Sequence, residues 1–156
     1  MGNGHFKYAA FLNWKSPGLE LNDMGYLRET DNIMQIFWMQ YRIWEPFSIF
    51  RTVNININQW SGWNFGGENV FNGANLIFHI QFKNYWNFGM GLNPDFESIS
   101  ASTLRGGPSI IVPGNFGMWA NLSSDGRKKL TMNIGTFNRW GFENNVQNKN
   151  VWAGIS

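Results

Sequence analysis

The stretch Val53-Asn54-Ile55-Asn56-Ile57-Asn58 places an aliphatic side chain at every odd position and an amide at every even one. Successive side chains of a pleated strand leave on opposite faces, so only a strand sorts this alternation into an apolar and a polar surface. Other stretches along the chain repeat the period of two. The pattern predicts an all-β fold: an antiparallel, up-and-down transmembrane β-barrel, or part of one, with about eight strands.

The pattern also predicts where the strands lie and how they are connected. We expect strands at 5–15, 32–44, 48–60, 76–82, 86–93, 106–123 and 130–135, with an eighth opening at Val151. Long loops are expected at 16–31, 61–73, 94–105 and 138–149, and short turns between the other strands. Around Pro113-Gly114 we favour one kinked strand, and two strands joined by a turn are the alternative. Alternating long loops and short turns are typical of outer-membrane barrels.

The composition favours a surface in contact with lipid. Charged residues make up 14% of the 156, against roughly 25% in soluble domains, while aromatic residues reach 17%, with nine Trp and fourteen Phe. No run approaches the roughly 18 apolar residues of a membrane helix, so closed strands are the way this chain could span a bilayer. The net charge is +2, and a single basic triplet at Arg127-Lys128-Lys129 does not indicate nucleic-acid binding.

The polar faces decide between a membrane barrel and a soluble one, because both show the same alternation. Amides with few charges suit a narrow, hydrogen-bonded lumen better than a soluble surface, which would carry more Lys and Glu. The side chains that we expect to face the lumen are Asn54, Asn56, Asn58, His79, Gln81, Asn87 and Asn133. Arg51 falls on the aliphatic face near a turn, where it could reach lipid headgroups. A soluble extracellular barrel that binds a sugar or a small apolar ligand is the alternative.

Few side chains suggest chemistry. The chain has two histidines and no cysteine, so we expect no metal and no cofactor. No serine pairs with His79 by pattern, and the protein is not expected to be an enzyme. Trp60, Trp63 and Phe65, at or near a predicted loop, could stack on a sugar face. Rings at a lipid boundary are the interpretation that we favour, because rings are expected there in any case.

Five segments occur in an order that is similar to a known family. They are Asn22-Asp23-Met24-Gly25-Tyr26-Leu27-Arg28, Trp63-Asn64-Phe65-Gly66-Gly67, Gln81-Phe82-Lys83-Asn84-Tyr85-Trp86, Arg105-Gly106-Gly107-Pro108 and Ser124-Asp125-Gly126-Arg127-Lys128. Together they resemble an uncharacterised outer-membrane β-barrel domain, a domain of unknown function. It follows a sandwich similar to carbohydrate-binding module family 9 in Gram-negative surface proteins.

The resemblance implies a location in the outer membrane of a Gram-negative bacterium and no established catalytic residues. Residues 1–156 are expected to form one domain, a wall segment with a structural or transport role. Because Met1 to His5 hold no apolar export signal, we expect the chain to be a fragment of a larger barrel protein. Its expected partners are the lipid bilayer, the remaining strands of its own barrel, and glycans.

Overall fold

The computed structural model describes residues 4–19, 30–100, 103, 108–142 and 147–156. This part of the chain forms ten β-strands. They are β1 (Phe6–Lys15), β2 (Asn32–Ile43), β3 (Phe50–Trp63), β4 (Asn69–Phe82), β5 (Asn87–Asp95), β6 (Ser98–Ser100), β7 (Ile110–Val112), β8 (Asn115–Ser123), β9 (Met132–Gly141) and β10 (Gln147–Ile155). In the same part of the chain, no helix is long and apolar enough to cross a membrane.

Eight of these strands form one antiparallel sheet in the order β1-β2-β3-β4-β5-β8-β9-β10. Each strand pairs with the next along the chain, apart from β6 and β7, which form a separate two-stranded sheet inserted between β5 and β8. The prediction of an all-β, antiparallel sheet of eight strands is therefore confirmed. The sheet is not closed, because β1 and β10 form its two edges and do not pair with each other.

The expected alternation of long loops and short turns is wrong in part. Four connections lie at the end of the main sheet where long loops were predicted. Those at 16–31 and 96–114 are long, but those at 64–68 and 142–146 span five residues each. The predicted loop 61–73 is in fact the end of β3, a tight turn and the start of β4. Asn64 closes this turn, since its Oδ1 accepts a hydrogen bond from the Glu68 amide at 2.8 Å.

The preference for one kinked strand at 106–123 is also wrong. The chain leaves the small sheet after Val112 and enters the main sheet at Asn115, so that β7 pairs with β6 and β8 pairs with β5 and β9. Pro113 lies between the two strands, where its missing N–H costs no ladder hydrogen bond. Apolar residues fall on even positions both before and after Pro113, but this shared phase did not indicate one continuous strand.

The strand register sorts the side chains of the main sheet onto two faces. One face is apolar across all eight strands, and the other is mainly polar, although on β1 and β2 it also carries Phe11, Met34, Ile36 and Trp38. One row of register partners crosses all eight strands and contains a single polar residue: Phe6, Tyr41, Ile55, Phe78, Met90, Ala120, Thr136 and Val151. We call this surface the apolar face and the opposite surface the polar face. Among the described residues no apolar side chain is buried, and Val151 remains 77% exposed.

Aromatic rings on the polar face lie over glycines of neighbouring strands. The Trp119 indole covers both Gly89 and Gly91, and the Trp60 indole covers Gly73 in the same way. A strand glycine offers no side chain to pack, and a ring from the next strand fills that space. This packing accommodates Gly73 in β4, at the end of the segment 61–73 that was predicted to be a loop.

We expect Gly91→Ala to destabilise the sheet by about 1–3 kcal/mol, because a Cβ at this position would overlap the Trp119 indole. Gly154→Ala is the matched control, since Gly154 is also a strand glycine of the polar face but has open space around it. This control should be neutral or stabilising by up to about 1 kcal/mol. Urea unfolding followed by Trp fluorescence measures both variants. Equal effects would contradict the ring packing.

Candidate functional site

The polar face encloses a half-open cavity of about 650 Å³. Its lining extends across the sheet from β2, the strand next to one edge, to β10 at the other edge. Strands so far apart in the sheet order can share one cavity only if the sheet curls towards this face. The polar-face residues that line it are Arg42, Thr52, Asn54, His79, Gln81, Asn87, Gly89, Trp119, Asn121, Phe137 and Trp152.

One row of register partners forms the centre of this cavity. It runs through Arg42, Asn54, His79, Gly89, Asn121, Gly135 and Trp152. The two glycines of the row lie under the rings of Trp119 and Trp152, so the floor alternates between amide groups and indole rings. Such a surface can hydrogen-bond hydroxyl and charged groups and can also contact carbon–hydrogen faces.

Two adjacent polar groups in this row have no hydrogen-bond partner among the described residues. They are the Nε of Arg42 and the Oδ1 of Asn54, both buried as atoms, and the two residues are register partners. The Arg42 guanidinium lies over the Trp44 ring, 3.2 Å from its centroid. Buried polar atoms normally have a partner, so a donor and an acceptor left unpaired on neighbouring strands mark the most polar part of the cavity wall.

The predicted lumen-facing residues all lie on the polar face, but only some line the cavity. Asn54, His79, Gln81 and Asn87 do so. Asn56 accepts a hydrogen bond from Gln40 at 3.0 Å. Asn58 donates to Asn75, and Asn133 is exposed near the end of β9.

His79 lies in the wall of the cavity. Its ring lies 6.0 Å from that of Trp119, between Asn54 and Gly89 in the row. No cluster of three His, Asp or Glu side chains that could hold a metal occurs within the described ranges.

The three aromatic residues predicted to stack on a sugar do not form one surface. Trp60 lies on the polar face over Gly73, whereas Trp63 pairs with Ile33 on the apolar face. Phe65 lies in the turn between β3 and β4, where its amide donates to Asp31 at 2.7 Å.

Sequence reasoning missed the rings that do line the cavity, Trp119, Phe137 and Trp152. On the same face of their strands, Trp119 lies between Gly117 and Asn121, and Trp152 lies between Asn150 and Gly154. That spacing of an indole between an amide and a glycine could have identified these two.

A cluster of charged side chains and aromatic rings lies at the end of the polar face where the turns β2–β3, β4–β5 and β8–β9 are located. A β-bulge between Phe50 and Thr52 sets Arg51 beside Gln81, whose Oε1 accepts from Arg51 Nη1 at 3.0 Å. The expectation that Arg51 projects from the aliphatic face is therefore wrong, because the bulge adds a residue and changes its side. The Arg51 and Arg127 guanidinium groups lie over the Tyr85 ring, at 4.4 and 3.2 Å from its centroid.

Arg127 also forms an ion pair with Asp125 within the same turn. Its Nε and Nη2 donate to the two carboxylate oxygens at 2.8 and 2.7 Å. This hydrogen bonding lowers the pKa of Asp125 to about 2 and raises the pKa of Arg127. Asp125 therefore stays ionised through the physiological range and holds Arg127 against Tyr85.

Comparison with known proteins assigns a family but no activity. The family described as Domain of unknown function (DUF5916) matches residues 2–156, and the chain belongs to it. Neither the curated proteins nor the solved structures contain a match to the chain.

We expect the side-chain carboxyl of Asp125 to titrate with a midpoint near pH 2 and to return towards 3.8 in Arg127→Gln. Because the folded-state pKa is lowered, the pair stabilises the turn fully above about pH 3.8 and loses this effect as the pH falls through about 2. The ¹³C shift of the carboxyl measures both midpoints. A midpoint near 3.8 in the unmodified chain would show that the pair does not form.

Proposed function

We propose that this member of the family is a wall segment of an outer-membrane β-barrel with a structural or transport role. Its apolar face contacts lipid, and its polar face lines the lumen. The observation that carries the proposal is the apolar row that crosses all eight strands while no apolar side chain in the described ranges is buried. In water such a continuous apolar surface would need a covering partner.

The extent of the apolar face supports this proposal. On β4 the face runs from Ala74 to Phe82, which is about 27 Å along the strand at roughly 3.4 Å per residue. With a strand tilt of about 40°, this becomes roughly 20 Å of height, close to the apolar band of about 25 Å in outer-membrane barrels. Beyond Ala74 the face becomes polar, with Gln59, Ser61 and Asn72 in one hydrogen-bonded chain.

The tryptophans of the apolar face give a second line of support. Trp14, Trp63 and Trp140 lie on this face at the end where β1, β3 and β9 finish. Trp86 lies at the opposite end, beside Phe82, to whose amide its carbonyl is bonded. Indole rings at the two ends of an apolar band, and none in its middle, are typical of the girdles at membrane interfaces.

The alternative, a soluble barrel with a ligand inside, requires a different arrangement. In a small soluble barrel the apolar rows turn inward and fill the centre. Here the cavity lies on the polar face, and the apolar row from Phe6 to Val151 lies on the other. The membrane proposal accounts for this polarity of the sheet, and the soluble alternative does not.

The unpaired edges indicate what would complete the wall. Apolar residues continue to both edges, where Tyr8 on β1 and Ile155 on β10 are 52% and 70% exposed. An edge strand with free backbone groups cannot face lipid, because nothing there satisfies its N–H and C=O groups. We therefore expect remaining strands of the same barrel to pair with β1 and β10.

We expect Ile55→Arg to reduce the free energy of folding into lipid vesicles by about 2–4 kcal/mol, because it places a charge in the middle of the apolar face. Asn56→Arg is the matched control at the next position, on the polar face, and should change this free energy little. Urea titration of the vesicle-bound chain, followed by Trp emission, measures both. If the chain folds in water without lipid, or if both variants behave alike, the proposed membrane location is wrong.

A further inference from the structure

The charges on the polar face are almost all positive. Basic side chains occupy four of its strand positions, and the bulge before Thr52 adds a fifth; the set is Lys7, Lys15, Arg42, Arg51 and Arg139. In the described ranges Asp95 is the one carboxylate at a polar-face strand position. The face therefore presents a positive potential to any solute in the curl of the sheet.

Hydrogen bonds at the short-turn end orient two amides of the cavity. Arg51 donates to the Oε1 of Gln81, and the Nε2 of Gln81 donates to the Oδ1 of Asn87 at 3.1 Å. Both amide oxygens thus already accept a bond, while each amide nitrogen carries two hydrogens. The hydrogens left over are donors, and donors match an anion better than a cation.

The centre of the cavity offers both kinds of hydrogen-bonding group. Arg42 and Asn54 are register partners, and both line the cavity. The Arg42 guanidinium carries charged donors, and the Asn54 amide carries both a donor and an acceptor. A molecule with an anionic group next to a hydroxyl therefore matches this pair of side chains. The rings of Trp119 and Trp152 add apolar surface, and 650 Å³ lies within the range of about 300–1,000 Å³ found for small-molecule sites.

We infer that this cavity binds a sugar-sized hydroxylated carboxylate, with Arg42 contacting the carboxylate and Asn54 a neighbouring hydroxyl. The biological role of this binding rests on the proposed function, because the inference names the class of solute that the lumen of the barrel would admit. The binding itself depends only on the cavity and can be measured without a bilayer.

The test compares glucuronate with glucose, which has the same ring but no charge. Calorimetric titration of the full chain, folded in zwitterionic detergent at low ionic strength, should show glucuronate binding at least tenfold more tightly than glucose, because a hydrogen bond to a charged group is worth about a factor of ten or more. Added salt should weaken the binding of glucuronate and leave that of glucose unchanged.

Two variants that each remove one positive charge give the matched control. Arg42→Gln should weaken glucuronate binding about tenfold and abolish the preference over glucose. Lys149→Gln, which removes a charge from the apolar face, should bind as the unmodified chain does. Arg42→Lys keeps the charge but loses the planar guanidinium, so an intermediate affinity is expected. Far-UV circular dichroism verifies that each variant is folded.

Equal affinity for glucose and glucuronate, or no binding of glucuronate by the folded chain, would overturn the inference. A chain that needs lipid to fold but shows no preference would refute the anion site and leave the wall segment standing. A chain that prefers glucuronate but folds in water without lipid would refute the wall segment and leave the anion site standing.

Discussion

The pleat of the β-strand is the constraint on which this molecule depends. It sends successive side chains to opposite faces, and eight strands paired in register extend one apolar face across the sheet, with β1 and β2 also carrying apolar side chains on the opposite face. A shift by one residue would transfer every aliphatic side chain to the other surface. The register partners Ile55 and Phe78, and on the other face Asn54 and His79, show how closely the two sets are kept apart.

Packing on the polar face replaces the usual buried core. Bulk is provided there by indoles lying over glycines, as Trp119 does over Gly89 and Gly91. Because glycine leaves room for a ring from the next strand, the sheet can curl without side chains colliding inside it. The curl in turn creates the cavity and brings Arg42 and Trp152, from strands far apart in the sheet, to one site.

The proposed membrane role and the inferred anion site follow from the same separation of faces. One surface lacks charge at its strand positions apart from Lys149, while the other holds five basic groups and one carboxylate in the described ranges. A wall of this kind would contact lipid on one side and admit a selected solute on the other.

The sequence by itself predicted the eight strands of the main sheet and their antiparallel order, and it placed the amides of the Val53 to Asn58 stretch on one face, because a period of two is a local property of the backbone. For the stretch from Val53 to Asn58, the alternation alone was enough to predict a strand with one apolar and one polar face. Tertiary structure alone decided the ends of the strands, the side taken by Arg51 and the meeting of Trp119 with Gly89. These depend on a bulge and on contacts between neighbouring strands, where a residue's environment is set by positions distant in the chain. The prediction of a loop up to Gly73 was wrong for the same reason, since the Trp60 ring that packs over Gly73 comes from the neighbouring strand.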